Sequence, residues 1–211
     1  GSGTANGLNG PNDLLFADNG DLYVTTQGSV ADGTGEISYQ FASQILRYNI
    51  FAPEQGAIVY DQPDVAPNST GFVSLLGLAF GTQNDLVVSD FANAIRRYDL
   101  ASGDLLTEVS SSYPGFMGSV AIDPDGNLYA PGFDFLNKNI GGVARFDPVG
   151  NPLPATGESG SIFIPATNTL KRPIGIAYTP VKVPEPGAML GLLGVAALGW
   201  KLRRNKVDRP A

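Results

Sequence analysis

The amino-acid sequence predicts an all-β fold, a β-propeller of four-stranded blades, followed by a single C-terminal transmembrane helix. The main observation is a pattern of four short apolar strands that recurs three times with a period of roughly 40 to 50 residues, the repeat length of propeller blades. The second is the large number of turn formers, 27 Gly and 16 Pro among 211 residues, which favours many short strands. The third is an apolar run near the C-terminus that ends in a basic cluster.

Each repeat opens with two apolar strands joined by a polar turn. The three copies read GPNDLLFADNGDLYV at 10–24, LGLAFGTQNDLVV at 76–88 and GSVAIDPDGNLYA at 118–130. The dipeptides Asn19-Gly20 and Asp125-Gly126 occupy the turns, and such dipeptides tolerate the positive φ angles of tight hairpins. We therefore predict an antiparallel hairpin in each copy.

A third strand follows each hairpin, with the pattern apolar, variable, Arg, aromatic, Asn or Asp. The repeated pairs are Arg47-Tyr48, Arg97-Tyr98 and Arg145-Phe146. Recurrence in every copy favours structural roles: an ion pair of each Arg with the next Asn or Asp or with a neighbouring blade, and packing of the aromatics between blades. A ring of arginines for anionic ligands and stacking of the aromatics on carbohydrate are the alternatives. Fourth strands are predicted at 57–60, 104–109 and 161–164.

These strands assign three blades to a body that spans residues 1–180. The blades lie at about 10–64, 75–110 and 116–165, and a further strand at 172–180 begins another. Propellers close with about four to eight blades, so we expect an incomplete ring whose missing blades lie upstream, in a chain that is a fragment or a processed form. Closure of the first blade by the last strand and completion by a partner are the alternatives.

The repeats resemble NHL-type and gluconolactonase-like propeller repeats over about residues 8–180. Residues 10–13 (GPND) resemble the segment in which gluconolactonase-type lactonases place an Asn in a divalent-metal site on the propeller axis. The resemblance makes Asn12 and Asp13 candidate ligands for a metal such as Ca²⁺. The corresponding positions in the next copies, 76–77 and 118–119, lack equivalent oxygens, and Ca²⁺ takes about six to eight. The competing interpretation is a turn that begins the blade, and no cofactor is then predicted.

Two loops of the body invite a functional interpretation. Residues 123–127 (DPDGN) resemble a calcium loop, but Gly126 is fourth where an EF-hand needs Gly sixth, so we predict a hairpin turn. Residues 26–36 form a longer link than the matching links of the other copies. Long loops on a rigid scaffold carry binding residues, which makes this loop a candidate ligand contact, with a tolerated surface insertion as the alternative.

Composition narrows the range of functions. The chain contains no His and no Cys, so it lacks the commonest general base, the commonest transition-metal ligand and any thiol. Residues 1–180 carry 18 acidic and 7 basic side chains, whereas residues 181–211 carry 2 and 6. Phosphate neutralisation needs clustered Lys and Arg, so we expect no nucleic-acid partner. Whether the chain is an enzyme stays open, and these absences weigh against catalysis.

The C-terminal tail, residues 181–211, is a separate module. Its opening motif consists of Val183, Pro184, Glu185 and Pro186. The two prolines prevent a helix from extending backward, so the apolar segment 187–202 starts afresh and spans roughly 24 Å as a helix. Snorkelling and local thinning fit that length to a bilayer. The basic cluster at 201–206 contains Lys201, Arg203, Arg204 and Lys206, and such a cluster stops a transmembrane helix on the cytoplasmic side.

The order of these three parts resembles the PEP-CTERM sorting signal of Gram-negative bacteria. The resemblance implies an exported protein with an N-terminal signal, an exosortase as partner, and cleavage near residues 183–186. Residues 187–202 would then anchor the chain in the inner membrane only transiently, before the body reaches the cell surface or is secreted.

The sequence therefore predicts an exported cell-surface or secreted propeller, a non-catalytic binding or structural module of the extracellular matrix. Its partner would be an extracellular polysaccharide or protein. The alternative is a metal-dependent gluconolactonase-like hydrolase that uses Asn12 and Asp13.

Overall fold

The computed structural model describes residues 3–61, 74–91, 94–111 and 115–179. These residues are almost entirely β-structure and turns, with one short 3₁₀-helix at Pro53–Gln55 in the described ranges. No helix within them is both long and apolar enough to cross a bilayer. The predicted motif at 183–186, the transmembrane helix at 187–202 and the basic cluster at 201–206 lie outside the described residues.

The first blade is an antiparallel sheet in the order β1-β2-β5-β6, with a small hairpin inserted between its second and third strands. Its strands are β1 (Pro11–Phe16), β2 (Asp21–Thr26), the inserted β3 (Ser29–Ala31) and β4 (Ile37–Tyr39), β5 (Gln44–Asn49) and β6 (Ile58–Asp61). The predicted loop at 26–36 is therefore an ordered hairpin arm. Asp32 closes its turn, because one carboxylate oxygen accepts hydrogen bonds from the backbone and hydroxyl of Thr34 and from the Glu36 amide.

The second blade is a regular antiparallel meander whose middle strands are buried. Its strands are β7 (Leu75–Phe80), β8 (Asp85–Asp90), β9 (Ala94–Asp99) and β10 (Leu105–Ser110). Every residue of β8 is buried, whereas β10 is largely exposed. This contrast places β10 at the outer edge of the blade.

The third blade has an interrupted first strand. Its strands are β11 (Phe116–Met117), β12 (Ala121–Ile122), β13 (Leu128–Asp134), β14 (Ile140–Phe146) and β15 (Ile162–Lys171), and both β11 and β12 pair with β13. Where the sequence predicts a further strand at 172–180, residues 173–179 form none. Two backbone groups of this segment bond to Ser119 instead: the Ser119 amide donates to the Ile174 carbonyl, and the Ile176 amide donates to the Ser119 hydroxyl.

The apolar core lies between successive blades. One cluster joins Tyr23 and Ile45 of the first blade to residues of the second, among them Tyr98, and another joins the second blade to Phe146 and its neighbours in the third. Tyr98 and Phe146 are fully buried, so the predicted inter-blade packing is confirmed for these two aromatics. Tyr48, at the same repeat position, is only half-buried.

The hairpin turns follow the prediction with one difference in geometry. Gly20 and Gly126 have φ angles of 88° and 84°, but the residues before them do not have positive φ. Each hairpin is a three-residue loop in which the Gly takes the left-handed position.

In the DPDGN turn, Asp123 accepts hydrogen bonds from the Asp125 and Asn127 amides, and it also accepts from the side chains of Asn127 and Tyr129. Because β12 and β13 pair antiparallel across this turn, the hairpin interpretation of residues 123–127 is confirmed.

Candidate functional site

The first strands of successive blades meet at a groove that contains the predicted metal-site residues. We call this groove, of about 430 Å³, the axial groove; it is lined by Asn12 and Asp13, by residues 76–78, by Ser119 and Val120, and by residues 174–176. In a propeller the first strands of the blades surround the central channel. The structure therefore places Asn12 and Asp13 in this groove, on the first strand of their blade.

Both side chains are engaged in bonds to the next blade. The Asn12 Nδ2 donates to the Leu75 carbonyl oxygen at 2.6 Å. One carboxylate oxygen of Asp13 accepts from the Leu78 amide at 3.0 Å, and the other accepts from the Leu14 amide at 2.9 Å. Asn12 and Asp13 thus hold the first strands of two blades together.

The same bond recurs between the third blade and the segment that follows it. Ser119 stands at the repeat position of Asp13, and its hydroxyl accepts from the Ile176 amide at 3.1 Å. Ile176 in turn stands at the position of Leu78. A side-chain oxygen at this repeat position therefore satisfies a backbone amide of the next blade, which is a structural task.

The second blade has no side chain at this repeat position. Gly77 stands there in place of Asp13, and a Cβ atom on Gly77 would lie 2.5 Å from the Ser119 Cα. The amide of Gly77 itself donates to the hydroxyl of buried Ser89, in the same blade, at 2.9 Å. A carboxylate ligand from the second blade is thus excluded by close backbone contact, a constraint that the sequence shows only as a missing oxygen.

The axial groove offers few ligands for a metal ion. Nowhere in the described residues do three or more His, Cys, Asp or Glu side chains come together in a way that could hold one. Asn12 is exposed, whereas the two Asp13 oxygens already accept from the Leu78 and Leu14 amides. The metal site at Asn12 and Asp13 stays a prediction.

The inserted hairpin lines a second cavity. Ser29, Val30, Ala31 and Ile37 face residues 3–10 across a space of about 510 Å³. Leu8 and Ile37 are 54% and 58% exposed there. The loop at 26–36 therefore borders a cavity, and its role as a ligand contact stays a prediction.

The repeated arginine of the second blade has the predicted structural role but a different partner. Arg97 Nε donates to Asp85 Oδ2 at 2.8 Å, its Nη2 donates to Gln83 at 3.2 Å, and the charged pair is almost fully buried. The carboxylate belongs to the neighbouring strand of the same blade, rather than to the following Asp99 or to another blade. Sequence reasoning missed Asp85 because a cross-strand partner becomes visible only with the register, which pairs Asp85 with Asp99 and Val87 with Arg97.

In the third blade Arg145 binds backbone oxygens. Its Nε and Nη2 donate to the carbonyls of Leu153 and Pro154 at 2.9 and 3.1 Å. Its guanidinium also lies 4.2 Å from the centre of the Phe163 ring, a cation–π contact. Arg145 therefore anchors the long connection to β15.

Comparison with known proteins supports the interpretation of the tail and of the fold. The PEP-CTERM protein-sorting motif matches residues 182–205, so the predicted sorting signal is confirmed, and a motif of this kind implies an exported protein that an exosortase processes. The search of curated proteins finds no match.

Among solved structures, a Thermus thermophilus protein described as an oxidoreductase (glucose dehydrogenase) matches with a TM-score of 0.55 and 16% identity, over 84% of this chain and 57% of that one. A gluconolactonase from Xanthomonas campestris matches with a TM-score of 0.49 and 22% identity, over 76% and 49%. A second protein described as a gluconolactonase gives 0.48 and 25%, over 68% and 46%. The chain thus spans about half the length of these proteins, and the first likeness shows the fold alone.

Proposed function

We propose that this protein is an exported propeller module that binds an extracellular polysaccharide or protein in the matrix of a Gram-negative bacterium and does not catalyse a reaction. The single observation that carries the proposal is the PEP-CTERM sorting motif at 182–205. A sorting signal fixes a destination outside the cytoplasm, where a rigid repeat scaffold with exposed loops serves recognition.

The tail acts before the body does. Residues 187–202 insert into the inner membrane as a helix, and the cluster of Lys201, Arg203, Arg204 and Lys206 holds its end on the cytoplasmic side. An exosortase then acts near Val183, Pro184, Glu185 and Pro186. The body, which lies on the other side of the membrane, is released or transferred to the surface.

The contacts in the axial groove argue against a metal-dependent hydrolase. Asp13 performs the same amide-binding task as Ser119, which makes the carboxylate a structural element. Gly77 occupies the equivalent place in the second blade with no room for a ligand side chain. A metal-dependent hydrolase needs several oxygen ligands around one ion, and the described part of the groove offers one carboxylate.

The proposal is tested by following the full chain, supplied with a signal peptide, in a strain that has an exosortase. We expect the body outside the inner membrane and cosedimenting with the extracellular polymer fraction. A matched variant in which Arg203 and Arg204 are replaced by Gln should be retained or mislocalised. Equal amounts of both proteins in the cytoplasm, with no polymer association of either, would contradict the proposal.

The alternative, a metal-dependent gluconolactonase-like hydrolase, is favoured by one observation. Asn12 lies exposed in the axial groove, where an Asn ligand of such an enzyme is expected. Purified full-length protein that hydrolyses gluconolactone only after addition of Ca²⁺ or Zn²⁺, and that loses this activity in Asn12→Ala, would favour the hydrolase and defeat the binding proposal.

A further inference from the structure

A third cavity, which we call the inter-blade cleft, opens at the other end of β1. Its volume is about 620 Å³, within the range of roughly 300–1,000 Å³ typical of small-ligand sites. The residues that matter for its chemistry are Phe16, Asp18, Asp21, Tyr23, Arg47 and Phe80. Phe16 lies four residues along β1 from Asn12, or about 13 Å at the rise of a strand, so the inter-blade cleft is separate from the axial groove.

Arg47 distinguishes this cleft from the equivalent places in the other blades. At the same repeat position, Arg97 is neutralised by buried Asp85 and Arg145 is bound to two carbonyl oxygens. Arg47 is only half-buried and lines the cavity. Among the described residues Arg47 forms no ion pair, and its guanidinium interacts with the side chain of Tyr23. A guanidinium has five N–H donors, so Arg47 keeps donors for a ligand.

The apolar wall of the cleft is aromatic and rigid. Tyr23 and Phe80 pack edge to face with ring centres 6.1 Å apart, and both belong to the core between the first two blades. Phe16 is 60% exposed at the mouth, and Phe51, which is 80% exposed, lies against Gly20 in the adjoining turn. The exposed Phe16 ring at the cavity is costly to hydrate and suits the stacking of a flat apolar face.

The polar wall is acidic. Asp18 is exposed and Asp21 is half-buried, with Asn19 Nδ2 donating to Asp21 Oδ2 at 3.0 Å. Both carboxylates line the same cavity as the Arg47 guanidinium. The body carries 18 acidic side chains against 7 basic ones over residues 1–180. This negative charge disfavours an anionic ligand. Neutral hydroxyl groups suit the cleft better, because carboxylates accept hydrogen bonds from them and an Arg donates hydrogen bonds to them.

From this combination we propose that the inter-blade cleft binds a segment of a neutral polysaccharide. A sugar ring stacks through its C–H face on Phe16, its hydroxyls donate to Asp18 and Asp21, and Arg47 donates to a hydroxyl or ring oxygen. The proposal rests on the proposed function of the module and specifies the chemical class and the site of its partner.

The test is titration calorimetry of the full chain in detergent with cellohexaose, laminarihexaose and mannohexaose, and with a galacturonate hexamer as the anionic probe. We expect a neutral hexasaccharide to bind, and Phe16→Ala and Arg47→Gln each to weaken it at least about tenfold, equivalent to roughly 1.4 kcal/mol. Phe135→Ala is the matched control, because Phe135 is a 56% exposed phenylalanine of the third blade, and it should change the affinity less than about twofold. Circular dichroism establishes that each variant is folded.

Three calorimetric results would overturn the inference: no binding of any of the three neutral sugars, tighter binding of the galacturonate hexamer, or equal affinities in Phe16→Ala, Arg47→Gln and Phe135→Ala. If the chain associates with extracellular polymer and Phe16→Ala leaves that association unchanged, the inference fails and the proposed function stands. Metal-dependent lactone hydrolysis would defeat the proposed function. The calorimetry shows in either case whether the inter-blade cleft binds a neutral sugar.

Discussion

Replacement of Asp13 by Ala separates the structural role of this carboxylate from a role as a metal ligand. The substitution removes the acceptor of the Leu78 amide. Because Leu78 is only 6% exposed, this amide is left in the inter-blade core with no partner. Loss of a hydrogen bond to a charged group costs about 1.5–3 kcal/mol. At about 2–4 °C per kcal/mol for a domain of this size, a loss of about 2 kcal/mol lowers the Tm by roughly 4–8 °C.

Ser119→Ala is the matched variant, because the Ser119 hydroxyl makes the equivalent bond to the Ile176 amide. A neutral hydrogen bond contributes about 1 kcal/mol, so this Tm falls by roughly 2–4 °C. Asp13→Asn keeps an acceptor oxygen and should fall between the wild type and Asp13→Ala.

Differential scanning calorimetry of the full chain in detergent, with EDTA or with CaCl₂, measures these shifts. The structural role predicts the same loss of Tm for Asp13→Ala in both buffers. The reasoning is refuted if Asp13→Ala unfolds at the wild-type temperature in EDTA, or if CaCl₂ raises the Tm of the wild type and not that of the variant.

Three further predictions concern the turns and the buried charges. Asp85→Asn should destabilise the protein by about 3–5 kcal/mol because it leaves the Arg97 charge buried and unpaired. In urea unfolding, a loss no larger than that of Arg145→Gln, whose guanidinium binds two backbone carbonyls and packs on the Phe163 ring, would contradict this. Burial raises the pKa of Asp123, but hydrogen bonds from Asn127 and Tyr129 outweigh it and hold that pKa below its ordinary value of 3.8. The stabilisation by Asp123 is therefore present above about pH 4 and is lost as the pH falls through the lower, folded pKa. The difference in urea midpoint between wild type and Asp123→Asn should shrink from pH 5 to pH 2.5. A constant difference would contradict this prediction. Gly126→Ala should cost about 1–2 kcal/mol, since Gly126 has a φ of 84° and a Cβ would lie 2.6 Å from the Thr82 hydroxyl; an unchanged urea midpoint would show that the turn relaxes freely.

The sequence predicts the hairpins and the blade order because these depend on local signals. Short apolar strands, turn dipeptides such as Asp125-Gly126 and a constant repeat length act over neighbouring residues, and the sheets at Pro11–Asp61 and Leu75–Ser110 follow them. The tail motif is likewise local and linear, which is why residues 182–205 are recognisable from the residues alone.

The features that the sequence does not reveal depend on contacts between distant segments. The Asp85 partner of Arg97 follows from strand register, and the interruption between β11 and β12 falls where Gly118 approaches the Ile174 backbone too closely for a side chain. The inter-blade cleft combines residues of β1, β2, β5 and β7. Repetition indicates one structural role for Arg47, Arg97 and Arg145, and only the packing of each blade shows that Arg47 lacks the partners of the other two.

The most direct test of the central claim, that this is an exported exosortase substrate, is the intact mass of the mature protein. The full chain, supplied with a signal peptide, is expressed with and without an exosortase, and the product outside the inner membrane is measured by mass spectrometry. We predict a product whose C-terminus lies near Val183–Pro186 and which lacks residues 187–211, formed only when the exosortase is present. An uncleaved chain ending at Ala211, in equal amounts with and without the exosortase, would contradict the claim.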